Sequence, residues 1–199
     1  MFSGQVAFDP AGERKCSSIV IACTIDNSLS LRPLLPSDAD ELFALTDANR
    51  SYLRQWLPWL DNTRRVEDTT HFIQLCVERE QAQNEVLAAI CYDSKIVGLV
   101  GLHEINWSNR SAGIGYWLAE NFQGRGMMTL ACSAIIEHGF AALQLNRIDI
   151  CCAAENIRSE AIAKRLGLTY EGQLREAEWL YDHFVDHKVY AILRREWSQ

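Results

Sequence analysis

The sequence predicts one mixed α/β domain, and three observations lead to this prediction. A chain of 199 residues, 48% of them apolar, is long enough to bury one sizeable core. Segments with strand-like and helix-like patterns follow one another, and the second half holds a strand, a glycine-rich loop and a helix in direct succession. No internal repeat, low-complexity segment or linker divides the chain. We therefore expect a single domain over 29–199, preceded by an N-terminal extension over 1–28.

The composition excludes several classes of protein. Apolar and aromatic residues are spread along the chain, which is not the composition of a disordered protein. The longest uninterrupted apolar run, Val86–Tyr92, has seven residues, whereas a bilayer requires about 20. A net charge of -7 argues against a surface that binds duplex nucleic acid. We therefore expect no membrane span and no direct binding of nucleic acid.

The cysteines favour a reducing compartment. There are seven of them, an odd number, and none has the C-x-x-C spacing. The N-terminus also has no basic region followed by an apolar signal core, so we expect a cytoplasmic protein. Cys151 and Cys152 raise the alternative of a covalent acyl-cysteine, but no histidine pairs with them in the nearby sequence, which favours a place in the core.

The first half of the chain predicts two strands and a helix. Ile19–Ile21 is apolar enough for a short strand, and Leu29–Leu35 for a second one that Pro36 ends. Ser37 and Asp40 have the spacing of a capping box, which predicts that a helix begins there.

An aromatic segment, Tyr52–Leu60, follows and precedes a further helix predicted over 67–83. Trp56 and Trp59 in this segment are either core aromatics or, if exposed, the wall of a binding groove.

The second half begins with a hairpin, because two apolar runs flank a turn at 93–95. In the strand predicted over Ser111–Leu118, Ile114 and Tyr116 face one side of the sheet, and Gly115 and Trp117 the other. The remaining predicted elements are a helix from the glycine loop to about 143, a strand over 147–153, a helix over 156–166 stopped by Gly167, and two strands within 173–193.

The loop Gln123-Gly124-Arg125-Gly126 stands directly before a helix. Glycines let the backbone approach a ligand closely, and the free N–H groups of a helix N-terminus favour a phosphate. The loop is not a P-loop, because no Gly-Lys-Ser/Thr follows, and a third glycine for a dinucleotide fingerprint is absent. Taken alone, it is either a phosphate site or only a turn.

A second motif, Asn156-Ile157-Arg158-Ser159, lies about thirty residues further on and precedes Leu166-Gly167-Leu168. Together with the loop it resembles the GNAT N-acetyltransferase superfamily, whose loop motif matches Gln123, Gly126 and Met128; Met128 departs from the small residue usual there. The resemblance covers 29–197 and is strongest to the branch of ribosomal-protein N-terminal acetyltransferases. The segments similar to that branch are Tyr52–Trp59, Ile114–Leu118, Glu171-Gly172 and Ala177-Glu178-Trp179-Leu180.

The resemblance implies a GNAT fold, which is a central, mixed, mostly antiparallel twisted sheet with a splayed parallel strand pair and flanking helices. The splayed pair is Ser111–Leu118 and Arg147–Ala153, and acetyl-CoA inserts between the two strands. Its pantetheine arm is expected on the backbone of Tyr116, Trp117 and Leu118 and on the side chain of Asn156, which as an alternative only caps a helix. The pyrophosphate is expected on the backbone of Gln123, Gly124, Arg125, Gly126, Met127 and Met128, and the Arg125 side chain either adds a cation or is solvated.

The resemblance also implies catalytic roles for Glu178 as the base and Ser159 as the acid. A terminal α-amine has a pKa near ~8, so a carboxylate or an ordered water can take its proton. The amide N–H groups around Trp117 and Leu118 are the expected oxyanion donors. As alternatives, Glu178 is one more surface carboxylate, and Ser159 only satisfies helix-start amides.

We therefore expect an acetyl-CoA-dependent N-acetyltransferase that acts by direct transfer in a ternary complex, most plainly on a protein N-terminal α-amine beside Trp56 and Trp59. Two alternatives stay open: a small amine such as a polyamine, an aminoglycoside or an amino acid, and a non-catalytic acyl-CoA-binding module. No metal is expected, since His183 and His187 have ligand spacing only on a helix and lie in a strand-like segment. The sequence leaves a homodimer open.

Overall fold

The computed structural model describes residues 19–198 and is built around an eight-stranded sheet with the order β1-β2-β3-β4-β5-β6-β8-β7. The strands are β1 (Cys23–Thr24), β2 (Leu29–Pro33), β3 (Val86–Tyr92), β4 (Lys95–Asn106), β5 (Ser111–Leu118), β6 (Arg147–Ala153), β7 (Thr169–Leu180) and β8 (His183–Leu193). The helices are α1 (Ala39–Ala48), α2 (Arg50–Leu53), α3 (Val66–Gln81), α4 (Met127–Ala141) and α5 (Ile157–Arg165). This is the mixed sheet with flanking helices that the sequence predicts.

The strands β5 and β6 form a parallel pair that separates along its length. Their register is limited to three residue pairs, which end at Gly113 and Asp149, whereas the other neighbouring strands are antiparallel. Beyond that point, β5 continues to pair with β4 as far as Leu118, and β6 continues to pair with β8 as far as Ala153. Each strand therefore keeps one unpaired edge that faces a gap inside the sheet, as expected for the splayed pair.

Each face of the sheet has its own core. On one face Ile114 and Leu118 pack with α4 in the larger hydrophobic cluster, and on the other Trp117 packs with Leu42 of α1 and Ile73 of α3. This alternation of successive β5 side chains is the one predicted from the sequence. Because α4 and α3 lie on opposite faces, the gap between β5 and β6 connects the two sides of the sheet.

Two local predictions from the first half are wrong. Ile19 and Ile21 are buried, but they precede β1 and are not themselves in a strand. The predicted capping box of Ser37 and Asp40 is replaced by Asp38, which binds the Leu35 N–H at 2.7 Å and takes two hydrogen bonds from Arg32. The segment over 36–38 forms a 3-10 turn, and α1 begins only after it.

Of the predicted N-terminal extension, residues 1–18 lie outside the described residues, and residues 19–28 join the sheet through β1. Over 19–198, none of the helices is both long enough and apolar enough to cross a membrane.

Candidate active site

A cleft of about 1380 Å³ opens where β5 and β6 separate. Every residue predicted to bind the cofactor lines this cleft, except Arg125. Both predicted catalytic residues, Glu178 and Ser159, and both predicted groove residues, Trp56 and Trp59, line it as well. Residues that are far apart in the sequence are therefore brought together along one connected space.

One end of the cleft is the N-terminus of α4. Gly126 is the N-cap and has φ +78°, and Gly124 has φ +73°, both in the left-handed region that glycine tolerates best. A Cβ built on either residue would meet nothing within 4 Å, so the loop leaves open space above its backbone. The first turn of α4 carries no acidic residue, so nothing in that turn neutralises the positive end of the helix.

Two arginines of α5 border this end of the cleft, and sequence reasoning missed both. The Arg158 guanidinium donates to Gln123 Oε1 at 2.7 Å, and Arg165 donates to Thr129 Oγ1 at 2.8 Å. Arg125, in contrast, lies outside the cleft lining, with its Cζ 5.5 Å from the centroid of the Phe122 ring. The position of Arg125 thus favours the alternative of a solvated surface side chain over that of a cation that binds the pyrophosphate.

The start of α5 places a pair of hydroxyl groups in the middle of the cleft. Asn156 Oδ1 accepts the Ser159 N–H at 3.1 Å and so caps the helix. The Ser159 side chain is thereby left for another partner, and its Oγ lies 2.7 Å from the Tyr116 hydroxyl. Burial raises the pKa of Tyr116 well above its usual range, so this hydroxyl keeps its proton.

The next residue, Glu160, ties α5 to the sheet. Its carboxylate accepts hydrogen bonds from Lys164 at 2.7 Å, Tyr190 at 2.6 Å and Lys188 at 3.0 Å. These three partners lower the pKa of Glu160 to about 2. Glu160 therefore stays ionised near neutral pH, and the helix turn that carries Ser159 is held in place.

Glu178 reaches the cleft from β7 because that strand contains a bulge. The pairing of β7 with β8 shifts between Leu174 and Glu178, and inside the shift Glu176 has φ +49° and donates its N–H to Asp186 at 2.8 Å. A bulge changes the direction of the side chains that follow it. Glu178 Oε2 thereby lies 3.3 Å from Nε2 of His187, which also lines the cleft.

The tryptophans of the aromatic segment are not core residues. Trp56 is half-buried and Trp59 is 37% exposed, whereas Leu53 and Leu60 beside them are fully buried. The two indoles border the cleft, which favours the groove interpretation over the core interpretation.

The predicted burial of the two adjacent cysteines holds only for Cys152. Cys151 is exposed in the cleft, because successive side chains of β6 point to opposite faces of the sheet. Desolvation and the nearby Asp149, whose Oδ2 is 3.7 Å away, raise the pKa of Cys151 to about 11. A thiol that keeps its proton at neutral pH is a poor nucleophile.

The gap between the parallel strands and the glycine loop before α4 are the arrangement that the resemblance to acetyl-CoA-dependent acyltransferases implies for the donor. A model of the acetyltransferase (GNAT) domain matches residues 28–169 of this chain. The chain belongs to the GNAT acetyltransferase family. This membership confirms the predicted fold class, the predicted N-acetyltransferase activity and the acetyl-CoA donor.

Similar proteins point to one branch of that family. The chain is 34% identical over 180 residues to the putative ribosomal N-acetyltransferase YdaF of Bacillus subtilis, covering 90% of this chain and 98% of the relative. It is 32% identical over 167 residues to the ribosomal-protein-serine acetyltransferase of Escherichia coli, covering 84% and 93%. The crystal structure of RimL, a ribosomal L7/L12 alpha-N-protein acetyltransferase in complex with coenzyme A, superposes with a TM-score of 0.84 at 29% identity, covering 87% and 98%. The predicted resemblance to ribosomal-protein acetyltransferases is confirmed.

Proposed function

We propose that this enzyme transfers the acetyl group of acetyl-CoA to the free α-amine of a protein N-terminus, by direct attack in a ternary complex in the cytoplasm. The observation that carries the proposal is the placement of Glu178 and Ser159 along one cleft, whose open side is bordered by Trp56 and Trp59. The names of the similar proteins support the choice of acceptor, which we take to be of the ribosomal-protein type.

The donor is held mainly by backbone. The pyrophosphate lies against the N–H groups at the start of α4, and Arg158 adds a positive charge beside Gln123. The pantetheine arm enters the gap between β5 and β6, where the strand edges are unpaired. Asn156 already uses its amide oxygen as a cap, so its amide nitrogen is the donor toward the arm.

The chemistry needs a neutral amine and a proton for the departing thiolate. Glu178 takes one proton from the ammonium group, directly or through a water, and the amine attacks the thioester carbonyl. The N–H groups around Trp117 and Leu118 bind the resulting oxyanion. The C–S bond then breaks and Ser159 passes its proton to the sulfur. The second proton of the attacking nitrogen returns to Ser159 through water in the open cleft, and Glu178 releases its proton to the solvent before the next turnover. The Tyr116 hydroxyl, which keeps its proton, lies 2.7 Å from Ser159 Oγ. In the proposed step Tyr116 is the donor of this pair, so that the serine O–H is free to reach the sulfur.

Substitution of Gly126 by valine is expected to weaken acetyl-CoA binding at least ~tenfold. Its Cβ would occupy the open space above the loop, where the phosphates must come close to the backbone. Calorimetry on the folded variant measures the loss. Gly167→Val is the matched control, because Gly167 has φ +76° and equally open surroundings but lies outside the cleft. Equal affinities in the two variants would contradict the phosphate site.

Replacement of Arg158 by methionine is expected to lower acetyl-CoA affinity about tenfold, because a charge-assisted hydrogen bond to a phosphate is lost. Arg125→Met is the matched control and should change the affinity less than twofold, since that side chain lies over Phe122 outside the cleft. Titrations at two salt concentrations check the cause, because the deficit of Arg158→Met should shrink at high salt. A larger loss in Arg125→Met would reverse the assignment.

Trp56→Ala is expected to raise the KM of the acceptor severalfold and to leave the KM of acetyl-CoA close to wild type. The half-buried indole borders the open side of the cleft, so its removal takes contacts from the acceptor. Trp179→Ala, at a tryptophan that is 52% exposed and outside the cleft, serves as the control. A large drop in melting temperature with an unchanged acceptor KM would show a core role instead.

The acceptor class is tested by mass spectrometry of products formed with acetyl-CoA. Peptides that begin with a free serine or alanine are compared with the same peptides blocked at the N-terminus, and with spermidine as a polyamine. We expect acetylation only of the free α-amine. Acetylation of spermidine alone would replace the proposal by the small-amine alternative, and acetyl-CoA binding without turnover of any amine would favour the binding module.

A further inference from the structure

A second cavity of about 760 Å³ lies on the face of the sheet that α1 and α3 cover. It shares part of its wall with the active-site cleft, namely Leu57, Trp59, His103, Gly115, Tyr116 and Trp117. The two spaces therefore meet beside β5, at the strand where the thioester is expected. An acceptor whose amine reaches that point has this cavity directly beside it.

The walls of the second cavity expose large apolar side chains. Phe72 of α3 is 38% exposed and Trp59 is 37% exposed, and both line the cavity. Leu75, one turn beyond Phe72, and Leu87 of β3 are half-buried and line it as well. An apolar hollow bordered by exposed aromatic rings is typical of a surface that a ligand covers.

Two acidic side chains that line the cavity are already paired with arginines. Asp68 lies 3.5 Å from Arg65, and Glu85 lies 3.2 Å from Arg79. A charged ligand would have to compete for these pairs, whereas an apolar one needs none of them. Together with the apolar walls formed by Phe72, Leu75 and Leu87, these two pairs favour an uncharged, apolar group as the occupant.

We propose that this second cavity binds the first residues of the acceptor polypeptide and selects a bulky apolar side chain at the position directly after the acetylated residue. The inference rests on the proposed function. The first residue is confined where the two spaces meet, and the next Cα lies 3.8 Å further along the chain, where the apolar walls begin. A volume of about 760 Å³ exceeds that of one side chain and matches a site for a short stretch of polypeptide.

The test compares steady-state kinetics of three peptides that differ only at their second residue, which is leucine, glycine or aspartate after an N-terminal serine. With wild-type enzyme we expect the leucine peptide to have a kcat/KM about tenfold above the glycine peptide, and the aspartate peptide to be the poorest. Equal kcat/KM for the three peptides would overturn the cavity's role and leave the proposed function intact. Acetylation of none of them would instead contradict the proposed function.

Two variants of Phe72 test whether the second cavity causes the preference for leucine at the second residue. Phe72→Ser should remove most of the advantage of leucine, and Phe72→Trp, which narrows the cavity, should shift the preference toward a smaller side chain such as alanine. Phe184→Ser, at a phenylalanine that is 55% exposed and outside both cavities, should keep the wild-type activity and preference. An unchanged preference in both folded Phe72 variants would overturn the proposal.

Discussion

Glu178→Gln is expected to lower kcat by ~10²–10⁴-fold while acetyl-CoA affinity stays near the wild-type value. Glutamine keeps the shape of the side chain and a partner for His187, which lies 3.3 Å from the carboxylate, but it cannot take a proton. The loss should shrink as pH rises through the acceptor's pKa of ~8, because the neutral amine then forms without the base. A pH–rate profile at saturating acetyl-CoA measures both effects.

The matched control for this variant is Glu176→Gln. Glu176 lies two residues earlier in the same bulge, is exposed and does not line the cleft. We expect its kcat to remain within about twofold of wild type, as for a surface substitution. A normal kcat in Glu178→Gln would return that residue to the alternative of a surface carboxylate.

Ser159→Ala is also expected to lower kcat by ~10²-fold or more, the range of a lost general acid. Its defect should not depend on pH around the pKa of the amine, because the proton that it supplies goes to the thiolate. The capping alternative is weakened by the structure, since Asn156 and not Ser159 satisfies the start of α5. Beyond catalysis, the variant loses the 2.7 Å contact with Tyr116 and the contact with Cys152, so the expected stability loss is about 1 kcal/mol.

A double-mutant cycle with Tyr116→Phe measures whether the hydroxyl groups of Tyr116 and Ser159 act together in catalysis. If Tyr116 acts by orienting the serine hydroxyl, Tyr116→Phe should lower kcat in wild type and have little further effect once Ser159 is alanine. Additive effects on kcat would mean that the hydroxyl groups act independently. Wild-type kcat in both Glu178→Gln and Ser159→Ala would leave positioning and the backbone oxyanion donors as the source of the rate.

The second half of the fold follows closely from the sequence. The strands predicted over 111–118 and 147–153 have the observed bounds of β5 and β6, and Gly167 follows the end of α5 as predicted. The errors lie where a tertiary contact overrides a local signal. Asp38 caps the segment before α1 because Arg32 from β2 fixes its carboxylate, and nothing in the local spacing shows this.

The candidate site was less predictable than the fold. Backbone features such as the glycine loop have a clear sequence signature, whereas the neighbours of a side chain depend on how distant elements pack. Arg158 meets Gln123 only because α5 lies beside α4, and His187 meets Glu178 only because a bulge shifts the pairing of β7 with β8. The exposure of Cys151 follows from the alternation of side chains along β6, a signal that the sequence did contain.

The separation of β5 from β6 also bears on where a further strand could add to this sheet. Unpaired strand edges normally invite another chain to add a strand, which is a common route to aggregates. Here the two free edges face one another inside a single sheet, with β4 and β8 on their far sides. Because both edges are flanked by strands of the same sheet, we expect the gap to favour a thin, linear molecule carrying amide groups over a foreign strand with side chains on both faces. The unpaired backbone groups of β5 and β6 thereby stay available for hydrogen bonds to the expected pantetheine arm of the coenzyme.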